Sequence, residues 1–224
     1  MVPIESRVES GTPTRIAEDI LYDNIMNKFR WFNMKEKENF FLDEKAYLVP
    51  QYMQRVFVQF AADLVNKNRT LEAEFNMLQN PVEGMPEPPE GRKAYLEEQI
   101  NTNKTRAVTL LDKVFDVIPE SILYMSNQAK YIAAVTYKDL GEDEKAVHHL
   151  NELFERNMEQ LKFLAQYDGS TKFTPYAMNT YREAINYTNT VKNTFADWGM
   201  ESLSSEVEMA LPPYEDIAKR NGLM

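Results

Sequence analysis

Apolar positions recur with helical spacing along most of the chain, starting close to the N-terminus. The first apolar stripe repeats at i, i+1, i+4, i+5 and i+8, which is one side of a helix. Thr12-Pro13 precedes it and has the residue types of an N-cap followed by the first helical position. The pattern predicts an amphipathic helix whose aromatic side chains pack inward. Its apolar stripe consists of Leu21, Tyr22, Ile25, Met26 and Phe29.

The same spacing predicts six further helices and one long interruption. Residues 69–103 break the pattern and contain the Pro- and Gly-rich run 80–91, so they are predicted to form an irregular insertion. The chain from Leu211 onward carries two prolines and is expected to lie over the surface. The predicted helices cover residues 50–65, 96–118, 122–140, 142–158, 176–198 and 200–210.

Residues 137–154 have the spacing of a tetratricopeptide repeat, which is a helical hairpin of about 34 residues. Tyr137 is the aromatic, Gly141 turns the chain, and Ala146 lets two helices approach closely. Ala107 belongs to an earlier copy that the insertion splits, and the two alanines are 39 positions apart (146 − 107). The repeats predict an all-α, tetratricopeptide-like, right-handed array of antiparallel helix pairs.

The charge of the chain is strongly acidic, with 25 Lys and Arg residues against 35 Asp and Glu residues and a net charge of −10. A surface of this sign repels phosphate backbones and anionic lipid headgroups, so nucleic acid is not expected as a partner. No apolar run approaches the roughly 20 residues that span a bilayer, so no membrane insertion by this chain is expected. The chain has no cysteine, which excludes disulfides and thiolate sites.

Catalytic patterns are scarce. The only histidines, His148 and His149, are adjacent, and neighbouring side chains on a helix point about 100° apart. The pair is therefore not expected to share a metal, and His148 with Glu152 is interpreted as a surface pair. Phosphate-binding glycine loops and metalloprotease or serine-hydrolase motifs do not occur. The sequence predicts no catalytic residue, no metal and no cofactor.

Binding is the better supported class of function. Stacked helix pairs leave a concave face lined by the first helix of each pair, which is where repeat proteins bind peptides. The alternative interpretation is that each residue assigned to this face is an ordinary surface residue without a binding role. The predicted groove residues are Arg55, Val58, Gln128, Tyr131 and Lys138.

A second candidate surface is the loop at residues 162–176, which carries four aromatic residues around a flexible turn. Exposed rings can stack on sugars or anchor peptides, but they also hold loops against their helices. A carbohydrate-binding role is the less favoured interpretation. The loop aromatics are Phe163, Tyr167, Phe173 and Tyr176.

The motif YDNxMNKFxW at residues 22–31 resembles a signature of a bacterial family of large polytopic membrane proteins. The multi-span half of that family is similar to C-superfamily glycosyltransferases, including protein O-mannosyltransferases. Its soluble C-terminal part starts after a Val-Pro-Ile-like segment and ends in tetratricopeptide-like helices, and Val2-Pro3-Ile4 precedes the motif here. The opening therefore looks like a chain entered midway. Two features depart from the family pattern: the long 69–103 insertion, and Phe32-Asn33 where glycines are usual.

The resemblance implies two domains, a junction segment with the amphipathic helix at residues 1–48 and a tetratricopeptide-like domain at 49–224. The catalytic carboxylate and the lipid-phosphate sugar donor would belong to the membrane half, so no catalytic residue carries over. The polar side of the motif would dock onto that membrane domain. The docking residues would be Asp23, Asn24, Asn27, Lys28 and Trp31.

These observations favour a non-catalytic interaction domain that positions an acceptor protein or another partner beside a glycosyltransferase-like membrane protein. The soluble part would be membrane-tethered on the extracytoplasmic, periplasmic side. The main alternative is a stand-alone tetratricopeptide-like scaffold in a protein complex, which could be cytoplasmic. In both cases the partner is a protein or peptide.

Overall fold

The computed structural model describes residues 17–29, 48–81, 89–120, 123–170 and 173–223. Across these residues the regular structure is helical and contains no strand, which confirms the predicted all-α class. The chain divides into two compact units, residues 1–141 and 142–224. The helices are α1 (Glu18–Asp23), α2 (Leu48–Gln79), α3 (Arg92–Val117), α4 (Asn127–Asp139), α5 (Asp143–Ala165), α6 (Pro175–Asp197), α7 (Glu201–Ala210) and α8 (Pro212–Arg220), and a π-helical turn (Asn24–Lys28) continues α1.

The first unit is built around α2, which packs against α3 and α4. Helices α2 and α3 are antiparallel, since Gln54 near the start of α2 donates to the Ile118 carbonyl after α3, and Glu74 near the end of α2 pairs with Arg92 at the start of α3. The Glu74–Arg92 pair is bidentate, with both N–O distances 2.8 Å. Helix α4 runs in the same direction as α2, because Gln54 also donates to the Leu123 carbonyl just before α4.

Several of the polar side chains that are buried between these helices are paired with each other or with backbone carbonyls. Asn68 donates to the Ile100 carbonyl at 2.9 Å and accepts from Asn103 at 2.8 Å, so one amide pair ties α2 to α3. The Lys130 ammonium on α4 is buried and is paired with Glu120. Buried polar groups cost free energy unless they are hydrogen-bonded, so these pairs restrict the register of the helices.

The predicted amphipathic helix near the N-terminus is present as α1 and the π-helical turn. Leu21 and Ile25 of its apolar stripe are buried, as expected. Glu18 binds Lys67 of α2 at 2.6 Å, and Asp19 binds Arg106 of α3 at 2.6 Å. The proposed Thr12-Pro13 start lies outside the described residues, and α1 begins after Ala17.

The prediction of an irregular insertion over residues 69–103 is wrong at both flanks. Helix α2 continues to Gln79, and α3 already begins at Arg92. These flanks are rich in Leu, Ala, Glu, Gln and Lys, which are strong helix formers. The helices therefore continue through these flanks although apolar residues at helical spacing are fewer there. Cross-helix pairs support it, including Glu72 with Lys104 at 2.7 Å.

Helix α4 also starts later than the predicted residue 122. It begins at Asn127, where the Ser126 hydroxyl accepts from the Ala129 N–H at 3.3 Å and forms an N-cap. The predicted turn at Gly141 is confirmed, since its φ of 82° is in the left-handed region that favours glycine. Helix α5 then extends to Ala165, seven residues past the predicted end at residue 158 (165 − 158).

The second unit contains α5 to α8, with α6 packed against α5 and α7. The predicted bounds of α6 and α7 agree with the structure within one residue. Tyr181 of α6 is fully buried, lies edge-on to Phe173 with ring centroids 5.7 Å apart, and donates to the Tyr214 carbonyl at 3.0 Å. Burial raises the pKa of the Tyr181 hydroxyl well above its usual range.

The chain from Leu211 onward lies largely at the surface, as expected, but it also forms a helix that the sequence pattern does not predict. Residues after Leu211 form α8, whose Ala218 is buried against the rest of the unit. The two prolines occupy the first turn, where a missing N–H costs nothing. Asp168 accepts from Arg220 at 2.6 Å and from Asn221 at 2.8 Å, and these bonds hold the pKa of its carboxyl below the usual range.

Candidate functional site

An open groove runs between α2 and α4 in the first unit, with a volume of about 230 Å³. We call it the α2–α4 groove. One wall follows successive turns of α2, and the other follows successive turns of α4. The residues that line it are Gln59, Ala62, Val65, Asn66 and Arg69 of α2 and Tyr131, Ile132, Val135, Thr136 and Asp139 of α4.

The floor of the α2–α4 groove is apolar and its rim is polar. Val65 and Thr136 are buried at the base, and the Thr136 hydroxyl already donates to the Ile132 carbonyl at 2.7 Å. Exposed Gln59 and Asn66 form the rim on the α2 side. This combination of apolar base and polar edge is typical of sites that bind a side chain and orient the rest of the ligand.

An ion pair closes one end of the groove. Arg69 Nη2 lies 3.0 Å from Asp139 Oδ2 and joins α2 to the end of α4. Beyond this pair is a smaller hollow of about 140 Å³, which also contacts Glu72 and Lys104. Since the Arg69 side chain is 66% exposed, it is accessible to an acidic group of a ligand as well as to Asp139.

Of the predicted groove residues, the structure places only Tyr131 in the lining. Val58 is 1% exposed and belongs to the core, so its assignment to the groove is wrong. Arg55 and Gln128 are exposed one helical turn before the first lining residues of their helices, and Lys138 is half-buried on α4. Sequence periodicity predicts α2 and α4 as helices but not the side of each helix that lines this groove.

The polar residues of the YDNxMNKFxW motif lie together at the surface. The Asp23 carboxylate accepts from Asn27 at 2.8 Å and pairs with Lys28 at 2.5 Å. The bonds from Lys28 and Asn27 hold the pKa of Asp23 below its usual range. Asn24 begins the π-helical turn, in which the Phe29 N–H donates to the Asn24 carbonyl at 2.8 Å. Trp31 lies outside the described residues.

Beside this motif is an apolar hollow of about 250 Å³. Leu21 and Phe29 form one side of it, and the start of α2 forms the other. Val49 and Tyr52 of α2 are more than half exposed there. The remaining residues that line it are Met53, Val56 and Phe57.

The loop aromatics do not share one environment. Phe173 is buried against Tyr181 and is part of the core, so its assignment to a sugar-binding surface is wrong. Phe163 and Tyr167 are in edge-to-face contact with ring centroids 5.5 Å apart. Tyr176 is 81% exposed at the start of α6.

The two histidines are closer to a common ligand geometry than their 100° separation suggested. His148 and His149 both approach the Glu152 carboxylate, at 3.5 Å and 3.3 Å. The spacing of the two histidines alone does not reveal this arrangement, because it depends on Glu152, whose position around the helix axis is between theirs. The sequence signal for the arrangement is that Glu152 follows His149 by three residues and His148 by four, so both imidazoles neighbour one carboxylate on the helix.

Within the described part of the chain, no helix is both long enough and apolar enough to cross a bilayer. Comparison of the chain with protein-family models, with curated proteins and with solved structures gives no match.

Proposed function

We propose that this chain is a non-catalytic, tetratricopeptide-like interaction domain that holds a segment of a partner protein in the α2–α4 groove. The observation that carries the proposal is the groove itself, an open channel with an apolar floor, a polar rim and an ion pair at one end. These are the features by which helical scaffolds bind peptides: apolar contacts supply affinity, and the rim supplies orientation.

The packing of the first unit supports the tetratricopeptide-like part of the proposal. Helix α3 returns antiparallel to α2, and α4 then runs parallel to α2 beside it. This is the order expected for one helix pair followed by the first helix of the next pair, and the groove lies on the first helices, as in repeat arrays. Buried Tyr137 of α4 donates to Asp112 of α3 at 2.8 Å, which links the second predicted repeat to the first.

The partner segment would place an apolar side chain on the floor at Val65 and Ile132. An acidic group next to it would compete with Asp139 for Arg69. The net charge of −10 disfavours partners that are acidic as a whole. The partner that fits the groove best is therefore a neutral or basic protein with a local acidic residue in the bound segment.

We expect Val135→Arg to weaken partner binding at least tenfold, about 1.4 kcal/mol, because a long charged side chain fills the floor of the groove. The amide protection of α2 and α4 in hydrogen exchange should change little, since Val135 is only half-buried. A photocrosslinking residue at Ile132 in native cells identifies the partner, and titration of that partner measures the affinity. Met209→Arg, at an exposed site in the second unit outside both candidate surfaces, is the matched control. Equal binding by wild type and Val135→Arg would contradict the proposal.

The resemblance of residues 22–31 supports the further proposal that the domain belongs to a glycosyltransferase-like membrane protein, on its extracytoplasmic side. The exposed Asp23–Asn27–Lys28 network and the apolar hollow next to it would be the surface that docks onto the membrane domain. The alternative is a stand-alone scaffold, which would use the same α2–α4 groove.

An immunoblot of fractionated native cells distinguishes these two contexts. We expect an antibody against this chain to detect a membrane-bound protein much larger than 26.1 kDa. A band of 26.1 kDa in the soluble fraction would instead favour the scaffold. Protease added to intact spheroplasts should remove the epitope if the domain is extracytoplasmic.

A further inference from the structure

Three side chains with metal-ligand chemistry lie together on α5, in the second unit. They are His148, His149 and Glu152, and their ligand atoms all lie within 4.8 Å of one another. Glu152 Oε2 is 3.5 Å from His148 Nε2 and 3.3 Å from His149 Nδ1. One carboxylate oxygen is thus the common neighbour of both imidazoles.

Helix geometry explains why these residues converge. At about 100° per residue, Glu152 lies about 40° from His148 in one direction and about 60° from His149 in the other. Side chains on a helix lean toward its N-terminus, so a carboxylate one turn further along reaches back between the two rings. The two imidazoles alone would diverge, and Glu152 provides the position where all three can meet.

The distances fit a small divalent ion. Zn²⁺ binds imidazole nitrogen and carboxylate oxygen at about 2.0–2.2 Å, which places neighbouring ligand atoms about 3.3–3.5 Å apart in a tetrahedron. Both separations from Glu152 already have these values. The third separation, between the imidazoles, closes by rotation of His148, whose side chain is 65% exposed. The His149 side chain is 10% exposed, so packing holds its ring in place.

We propose that His148, His149 and Glu152 form a binding site for a borderline divalent cation, with Zn²⁺ as the type ion. One nitrogen of each imidazole and one oxygen of Glu152 would bind the ion, and water would occupy the remaining position. Two imidazole ligands favour Zn²⁺ over the hard ions Mg²⁺ and Ca²⁺, which prefer oxygen. A positive charge near the site would oppose cation binding. Lys145 lies one turn before the site, and its ammonium is paired with Glu142 at 3.5 Å.

The test is a titration of the full chain, without an affinity tag, with Zn²⁺ alone. Because the chain has only two histidines, imidazole ¹⁵N spectra observe the complete histidine set. We expect one ion per chain by calorimetry, simultaneous shifts of both imidazoles, and no shift with Mg²⁺. His148→Ala and Glu152→Gln should each weaken Zn²⁺ binding at least tenfold, which corresponds to about 1.4 kcal/mol.

Glu155→Gln is the matched control, since Glu155 is exposed on the same helix and is not part of the cluster. It should leave the affinity unchanged. His148 and Glu152 are at the surface, so circular dichroism should show that their variants remain folded. A shift of only one imidazole, or equal Zn²⁺ affinity of wild type and Glu152→Gln, would overturn the proposal.

Discussion

Tyr181→Ala should destabilise the second unit by about 3–5 kcal/mol, the usual cost of removing a large aromatic side chain from a core. Tyr181 is fully buried in the first third of α6, and its ring packs edge-on against Phe173. The substitution leaves a cavity in the core, and a cavity adds to the cost of the lost side-chain contacts. It also removes the hydrogen bond that joins α6 to the Tyr214 carbonyl in α8.

Amide hydrogen exchange measures the loss of stability in the second unit separately from the first. Because the chain forms two units, a single unfolding midpoint does not describe both, whereas amide protection reports α6 and α2 separately. Protection should fall in α6 and stay unchanged in α2. Tyr181→Phe is the control: it keeps the ring and loses only the hydrogen bond, so it should cost about 1 kcal/mol. Similar losses of stability for both variants would show that packing of the Tyr181 ring contributes little.

Asn68→Leu should destabilise the first unit by about 3 kcal/mol, although leucine has similar volume and is more apolar. Asn68 is buried, donates to the Ile100 carbonyl and accepts from Asn103. The substitution removes the acceptor of the buried Asn103 amide, and a buried donor without an acceptor costs about 1–3 kcal/mol on its own. The broken link between α2 and α3 adds to this cost.

Asn157→Leu is the matched control in the second unit. Asn157 is also fully buried, but its amide donates only to the Leu153 carbonyl of its own helix, and among the described residues its Oδ1 has no partner. Its replacement should change stability by less than about 1 kcal/mol, because no other buried side chain depends on it. Guanidinium unfolding followed by exchange in α3 and α5 measures both variants. If the two substitutions cost the same, the Asn68–Asn103 pair has no special role in α2–α3 packing.

The α2–α4 groove shows which part of a candidate site is readable from sequence. Tyr131, one of the predicted groove residues, lines the groove, and both helices that form the walls are predicted as helices from the sequence. The assignment of Val58 was wrong because two apolar faces of α2 compete for the interior, and period alone does not say which face meets α3 and which meets α4. Arg69 and Asp139 could not be paired from the sequence, since they are 70 residues apart and meet only after α4 has packed beside α2.

The His148–His149–Glu152 cluster, unlike the groove, is formed by residues that are close together in the sequence. All three residues are within five positions on one helix, so their geometry follows from helix parameters alone. The histidine spacing does not predict the cluster, because the two histidines are adjacent and converge only through Glu152 as a common third group. The burial of His149, which holds one ring in place, depends on tertiary packing.

Local sequence patterns account for the all-α class, the amphipathic segment near the N-terminus, the turn at Gly141 and the extents of α6 and α7. These features depend on periodicity, caps and turn residues, which are local. Contacts between distant parts of the chain decide the packing of α8, in which Ala218 is buried, and the division after Gly141. They also decide the face of each helix that lines the groove. These features depend on contacts between residues far apart in the chain, and such contacts add free energy that no local pattern contains.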